Sequence, residues 1–335
     1  MEHDDPFASL SDDLLLFIFN KLDTVHLCYI ASVCRRWRYV VRQLVKKIHV
    51  LLLGKSLKQY FHIPTGRQIL SLVRFFSYVE VLSFRNWPWV ERFPEVASVV
   101  MRGLRSATLK KVDVGGLPVQ PGDIWILRDN CPNLCGLKLG GCSTVDDEFV
   151  KQSVKRLKPH LKELDISDST RVTTAAIKFA IENGVIRLKA SRCKRISGAL
   201  VINHVPKGNE SRDDEHCLTL TQCKNINWFH LDRNLRFTTI NLSQCTSLEY
   251  CHIYDNALQN LHLSGCRNLR VVEVASSNLK VANLFSCKQL SEEIIYKLIE
   301  NCPMLTEINL AGLGFASQVQ QWLLENRLMG SLNLG

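Results

Sequence analysis

The residues in this chain best suited to chemistry are its 13 cysteines and 10 histidines. Thiolates and imidazoles attack carbonyl carbons and bind zinc, and thiols also pair as disulfides. Each of these uses demands a spacing. No two cysteines stand as C-x-x-C, and Cys131-x-x-x-Cys135 comes nearest. Cys251 and His252 are sequence neighbours with no third partner at a recognisable distance. H-E-x-x-H, G-x-S-x-G and a phosphate-binding glycine loop are missing from the sequence, so nothing positive supports an enzyme, and no metal or other cofactor is expected. The odd cysteine total also argues against a disulfide framework.

The start, Met1-Glu2-His3-Asp4-Asp5, is too acidic for a secretory signal, and no run approaches the roughly 18 apolar residues of a membrane span. A cytoplasmic or nuclear setting, with no membrane partner, is the expectation. The formal charge of +10 is concentrated rather than spread. Between Asp23 and Glu80 there is no acidic residue, while Arg35, Arg36, Arg38, Arg42, Lys46, Lys47, Lys55, Lys58, Arg67 and Arg74 supply ten cations. Such a segment reads either as a solvated face or as an interface with an acidic protein. Nucleic acid is not expected, because no exposed aromatics interleave with these cations.

The cysteines acquire meaning from the elements that hold them. Leu134, Leu137, Leu139 and Cys142 form L-x-x-L-x-L-x-x-C, which recurs at Phe237, Ile240, Leu242, Cys245 and at Leu258, Leu261, Leu263, Cys266. Looser copies end on Cys193, Cys223 and Cys287, so six cysteines share one repeat position. Four more carry another residue there: Val79/Leu82/Phe84/Trp87, Leu104/Ala107/Leu109/Val112, Leu161/Leu164/Ile166/Ser169 and Leu305/Ile308/Leu310/Leu313. A truncated strand is possible at Met329, Leu332 and Leu334. About ten repeats result, with steps in the leucine-rich-repeat range.

The L-x-L core alternates with period two, as a strand with one buried face must. Cysteine suits the inward turn after it, as a small apolar side chain. The return to the outer face is expected to be often helical, clearest at Val172–Ile177 and Leu290–Ile295. Asn130-Cys131-Pro132 and Asn301-Cys302-Pro303 read as helix exits. Pro206–Glu215 reads as a surface loop, and Gly115–Gly122 as a lengthened step.

Before the repeats the pattern changes. Ser11 can cap a helix with Asp12 and Asp13 in its first turn and an apolar stripe at Leu14, Leu15, Ile18, Phe19 and Leu22. A second helix is expected over Thr24–Ala31, and a third carrying Val33, Trp37, Val40, Val41 and Leu44. Three helices in so short a stretch cannot bury this surface alone, so a partner is expected.

Leu10-Ser-Asp-Asp-Leu14-Leu-Leu-Phe-Ile18-Phe19, followed by Val33-Cys34-Arg35-Arg-Trp37, resembles an F-box, whose pattern is L-P-x-x-L-L-x-x-I-F then V-C-R-x-W; Ser11 stands where proline is usual. The C-terminal repeats resemble the cysteine-containing leucine-rich repeats, and together they resemble the F-box and leucine-rich-repeat protein family. The resemblance implies an α/β fold: a three-helix F-box at residues 7–48, a linker and cap at 49–78, and a repeat horseshoe at 79–335, with a parallel concave sheet and outer helices or loops. It also implies the substrate-recognition subunit of a Skp-cullin-F-box ubiquitin ligase, or else a scaffold using the same modules without ubiquitin transfer.

By position, the residues facing a Skp-type adaptor, and through it cullin and RING subunits, would be Leu10, Leu14, Leu15, Ile18, Phe19, Leu22, Val33, Cys34 and Trp37. Isopeptide chemistry would belong to other subunits. The expected target surface is the outward side of the strands, with Arg187, Lys189 and Arg192 holding an acidic or phosphorylated segment of a protein target, and Lys138, Asn241 and His262 contributing. Pairing of these cations with Glu163 and Asp165 one repeat away is the competing expectation.

Overall fold

A computed structural model describes residues 7, 9–57, 63–203, 215–232, 236–325 and 333–334. The chain divides into two compact units, Met1–Gly136 and Leu137–Gly335.

The first unit opens with α1 (Asp12–Phe19), α2 (Thr24–Val33) and α3 (Arg35–Val45). Ser11 caps α1 by accepting the Leu14 N–H, and Asp23 caps α2 by accepting from Val25 and His26. Cys34 caps α3, its sulfur accepting the Trp37 N–H at 3.4 Å. Val33 therefore ends α2 rather than opening α3. Next come β1 (Val50–Leu52), α4 (Leu53–Leu57), α5 (Gly66–Phe75), β2 (Val81–Ser83), α6 (Val96–Gly103), β3 (Lys111–Asp113), α7 (Pro121–Asn130) and β4 (Gly136–Lys138), the last spanning the unit boundary. Helix α2 packs on α4 and α5, so part of the cover that three short helices need comes from this chain itself.

β1, within the stretch expected to be linker and cap, pairs parallel to β2 with Leu51 beside Leu82. β2 then pairs with β3 with Leu82 beside Val112. The repeat here is therefore Leu109, Val112, Val114 and Leu117, all buried, and the Leu104/Ala107/Leu109/Val112 copy was five residues out of register. Gly116, at φ 81°, makes the left-handed turn before Leu117, which explains the glycine pair there.

The second unit continues with α8 (Asp147–Leu157), β5 (Glu163–Asp165), α9 (Thr174–Glu182), β6 (Arg187–Lys189), β7 (Ser197–Ile202), β8 (Cys217–Thr219), β9 (Asn225–Leu231) and β10 (Thr239–Asn241). It ends with β11 (Tyr250–Ile253), β12 (Asn260–His262), β13 (Val271–Val274), β14 (Val281–Asn283), α10 (Glu292–Asn301), β15 (Glu307–Asn309), α11 (Ala316–Glu325) and β16 (Asn333–Leu334). Strands β5, β6, β8, β10, β12, β14, β15 and β16 pair in that order, all parallel. Leu164, Leu188, Leu218, Ile240, Leu261, Ala282 and Ile308 stand side by side in register and are all buried. The region is an α/β leucine-rich-repeat solenoid. Leu334, not Leu332, takes the place beside Ile308, while Met329, Leu332 and most of Pro206–Glu215 lie outside the described residues.

The outer side is more varied than expected. α9 and α10 form where the helical stripe is legible, and α7 and α10 end at Asn130 and Asn301 as the proline exits require. Among the described residues between α9 and α10 the return is not helical. β7, β9, β11 and β13 form a second parallel sheet, with Leu200, Phe229, Cys251 and Val272 in register and buried beneath it.

The repeat cysteines tie successive turns together. Each chain bends after its strand through a left-handed residue, among them Arg192, Gln222, Gln244, Gly265 and Ser286, which swings the next side chain inward. The thiols of Cys193, Cys223, Cys245, Cys266 and Cys287 then donate to the carbonyls of Ile166, Ala190, Leu220, Leu242 and Leu263, at 3.0–3.3 Å. Each acceptor is the buried residue that directly follows the strand of the preceding repeat.

Burial pushes the thiols up from an ordinary 9.0, to about 12 for Cys193 and Cys245 and about 11 for Cys223 and Cys287. They remain protonated, uncharged core groups, inert as nucleophiles. Cys245→Ala, which removes both volume and donor, is expected to cost about 1–3 kcal/mol in denaturant unfolding. The folded thiols titrate above their unfolded values, so their contribution holds below pH 9 and is lost as pH rises through 11–12. Unfolding midpoints measured across that window should fall with increasing pH.

Candidate functional site

Helix α1 divides its apolar residues between two faces. Leu15 and Phe19, four apart, are 0% and 3% exposed and pack inward. Leu14, Phe17 and Ile18 follow the opposite stripe and are 51%, 67% and 43% exposed, with Lys21 over the Phe17 ring at 5.3 Å. Tyr29 and Val33, also four apart, are exposed on α2, and Tyr39 is exposed on α3. Six large apolar or aromatic side chains thus face water on three short helices, a surface that normally marks a protein-binding site.

The nine residues expected to meet the adaptor separate on this geometry. Leu14, Ile18 and Val33 lie on the free surface, and Leu10, Leu22, Cys34 and Trp37 are half-buried. Leu15 and Phe19 are corrected: the helix packing consumes them, and they hold the surface up without forming it. Trp37 bridges the two roles, meeting Phe7 edge-on at 5.1 Å and Phe19 at 5.2 Å. Phe17, Tyr29 and Tyr39 were missed. The i, i+3, i+4 spacing of Leu14, Phe17 and Ile18 was the available signal for Phe17.

Part of the basic segment is structural. Arg36 pairs with Asp12 at 2.9 Å and donates to the Phe7 and Leu10 carbonyls, clipping the segment before α1 onto α3. Arg38 donates to Ala31 O, and Arg74 to Gly103 O. Arg35, Arg42, Lys46 and Lys47 remain exposed.

In the second unit, Lys189, Asn241 and His262 share one register row across β6, β8, β10, β12, β14 and β15, between Thr219, Asn283 and Asn309. Arg187 and Arg192 are corrected. Arg187 pairs with Glu163 at 2.6 Å, and Arg192 forks onto Asp168 through two 2.6 Å bonds. Neighbouring repeats have already supplied their anions, one of them Asp168 rather than the expected Asp165.

Asn241 also has a structural duty: its Oδ1 accepts the Ser243 N–H at 3.0 Å, as Asp165, Asn283 and Asn309 do two residues on. His262 is pushed down by burial, against Glu307, and is neutral near pH 7. Lys138 is exposed on β4, and Phe285, 47% exposed just past β14, adds an aromatic contact that the sequence reading omitted. Among the described residues no cluster of three or more His, Cys, Asp or Glu could hold a metal, and no helix is long and apolar enough to cross a membrane.

The F-box domain model matches residues 7–49, the stretch that builds this exposed helical surface. No curated protein sequence matches the chain. Among solved structures, the crystal structure of the Rad7 and Elc1 complex in yeast is 15% identical, covering 87% of this chain and 81% of that one, with a TM-score of 0.40. An internalin (inlF) from Listeria monocytogenes is 11% identical, covering 86% and 88%, with a TM-score of 0.30.

The inside and outside of α1 should respond differently to truncation. Leu15→Ala is expected to destabilise the first unit by about 2–5 kcal/mol. Phe17→Ala should change unfolding stability by no more than about 0.5 kcal/mol, as measured by chemical denaturation with far-ultraviolet circular dichroism.

Proposed function

We propose that this chain, which carries an F-box domain at residues 7–49 ahead of a leucine-rich-repeat solenoid, is the substrate receptor of a Skp-cullin-F-box ubiquitin ligase, acting in the cytosol or nucleus. The observation that carries the reading is the apolar stripe of Leu14, Phe17 and Ile18, together with Tyr29 and Val33, left in water on the F-box. A Skp-type adaptor covers it, and cullin and RING subunits follow through the adaptor. Burying a side chain of this size stabilises a complex by about 1.5–3 kcal/mol, so two or three of them account for firm docking. The receptor performs no chemistry. It raises the effective concentration of target lysines near a conjugating enzyme held elsewhere in the assembly.

The strands of the second unit supply the target site. Its row runs from Lys189 through Thr219, Asn241 and His262 to Asn283, with Phe285 as an apolar anchor. With Arg187 and Arg192 already neutralised, this face favours a largely uncharged target segment over a multiply phosphorylated one.

Affinity purification of wild type beside Ile18→Asp separates the two modules. The variant is expected to lose adaptor and cullin together, by about a hundredfold or more, while other partners stay. Adaptor without cullin in the wild-type sample would favour a scaffold instead. Retention of adaptor by Ile18→Asp would overturn the docking site.

A further inference from the structure

The outer sheet of the second unit has no place in the ligase reading, yet it carries a surface with its own chemistry. Its buried face is filled by Leu200, Phe229, Cys251 and Val272, and its free face presents a row of rings. Trp228 and Tyr250 are cross-strand neighbours, 43% and 40% exposed, with ring centres 6.4 Å apart. His230 and His252 stand beside each other two residues further along, 6.2 Å apart.

Three of the four turns that lead into these strands are cationic, the turn into β11 ending instead on Glu249. Lys194 and Arg195 precede β7, Lys224 precedes β9, and Arg267 and Arg270 precede β13. All five are exposed, and none has an ion-pair partner among the described residues. This is the reverse of the inner strands, where Arg187 and Arg192 are each held by a carboxylate. Of the acids on this side, Glu273 accepts the Tyr254 hydroxyl at 2.7 Å and lies 4.0 Å from His252, and Glu249 is half-buried.

We propose that this face binds single-stranded nucleic acid, with the phosphates along the cationic turns and bases stacked on Trp228 and Tyr250. Two requirements meet here that other polyanions do not combine. Uncompensated cations suit any phosphate or acidic chain, but exposed ring faces in a row beside them suit one that also carries planar bases. An acidic peptide would leave Trp228 and Tyr250 unused, and a paired duplex hides its base faces. Among the cations between Asp23 and Glu80, the exposed aromatics Tyr29 and Tyr39 belong to the F-box surface already described. The second sheet supplies that combination elsewhere.

The test is fluorescence anisotropy of the full chain with a labelled mixed-sequence 20-nucleotide single strand. Saturable binding is expected at 50 mM salt, weakening about 50-fold by 200 mM if about four phosphates are contacted. Trp228→Ala is expected to lose about tenfold and Trp228→Phe to retain affinity, the side chain being exposed enough for either change to leave the fold intact. Lys224→Glu with Arg267→Glu should weaken binding and flatten its salt dependence, whereas Lys46→Glu with Lys47→Glu, on the F-box, should leave it unchanged. Absence of saturable binding would overturn the proposal. So would wild-type affinity in Trp228→Ala, equal affinity for heparin or a phosphorylated acidic peptide, or loss confined to the F-box variant.

Discussion

Every repeat of the second unit meets the same difficulty: its strand must end, turn inward and still leave no polar backbone group buried without a partner. The turn's own N–H answers part of this, as at Leu220, Leu242 and Leu263, whose carbonyls accept from Cys223, Cys245 and Cys266, and the thiol of the next repeat then reaches the same carbonyl as a second donor. A leucine at that position would fill space but offer no donor, and a serine would carry a more polar group into the core. Ser169, which replaces the cysteine in its repeat, illustrates the cost, since its buried hydroxyl has no hydrogen-bond partner. Each repeat thiol is thereby paired inside the core while linking one repeat to the one before it, so the thiol ladder helps set how repeats stack. The cysteines that looked most reactive are therefore the least available for reaction.

The same economy governs the polar residues. Asx side chains at the strand ends spend one oxygen on a turn N–H before any target can use them. Arg192 adopts a left-handed conformation at φ 59° and lays its guanidinium on Asp168, itself left-handed at φ 60°. Exposed groups with no such duty include the apolar stripe of the F-box and the rings and cations of the outer sheet. Both are surfaces where folding left interactions unused.

Much of this was legible in the sequence. The leucine register from Leu161 to Leu313, the inward cysteines, α9 and α10 and the F-box helices all follow from periodicity, because a packed face forces a repeat spacing. What escaped depends on details that spacing does not encode. Ala107 and Leu109 mimic a strand two residues apart, and only the left-handed Gly116 marks the true turn. The outer strands escaped because Asn225–Leu231 and Tyr250–Ile253 alternate over too few residues to compete with an expected helix. On α1, the stripe of apolar positions contained both faces, since an F-box is apolar inside for packing and apolar outside for its partner; burial of Leu15 and Phe19 separates them.

The central claim, that the exposed face of the F-box helices is a docking surface for a Skp-type adaptor, is most directly tested by hydrogen–deuterium exchange of the purified chain with and without that adaptor. Slowed exchange is expected across Asp12–Phe19 and Thr24–Val33, with the strands of the second unit unchanged. Protection confined to those strands, or none at saturating adaptor, would contradict it.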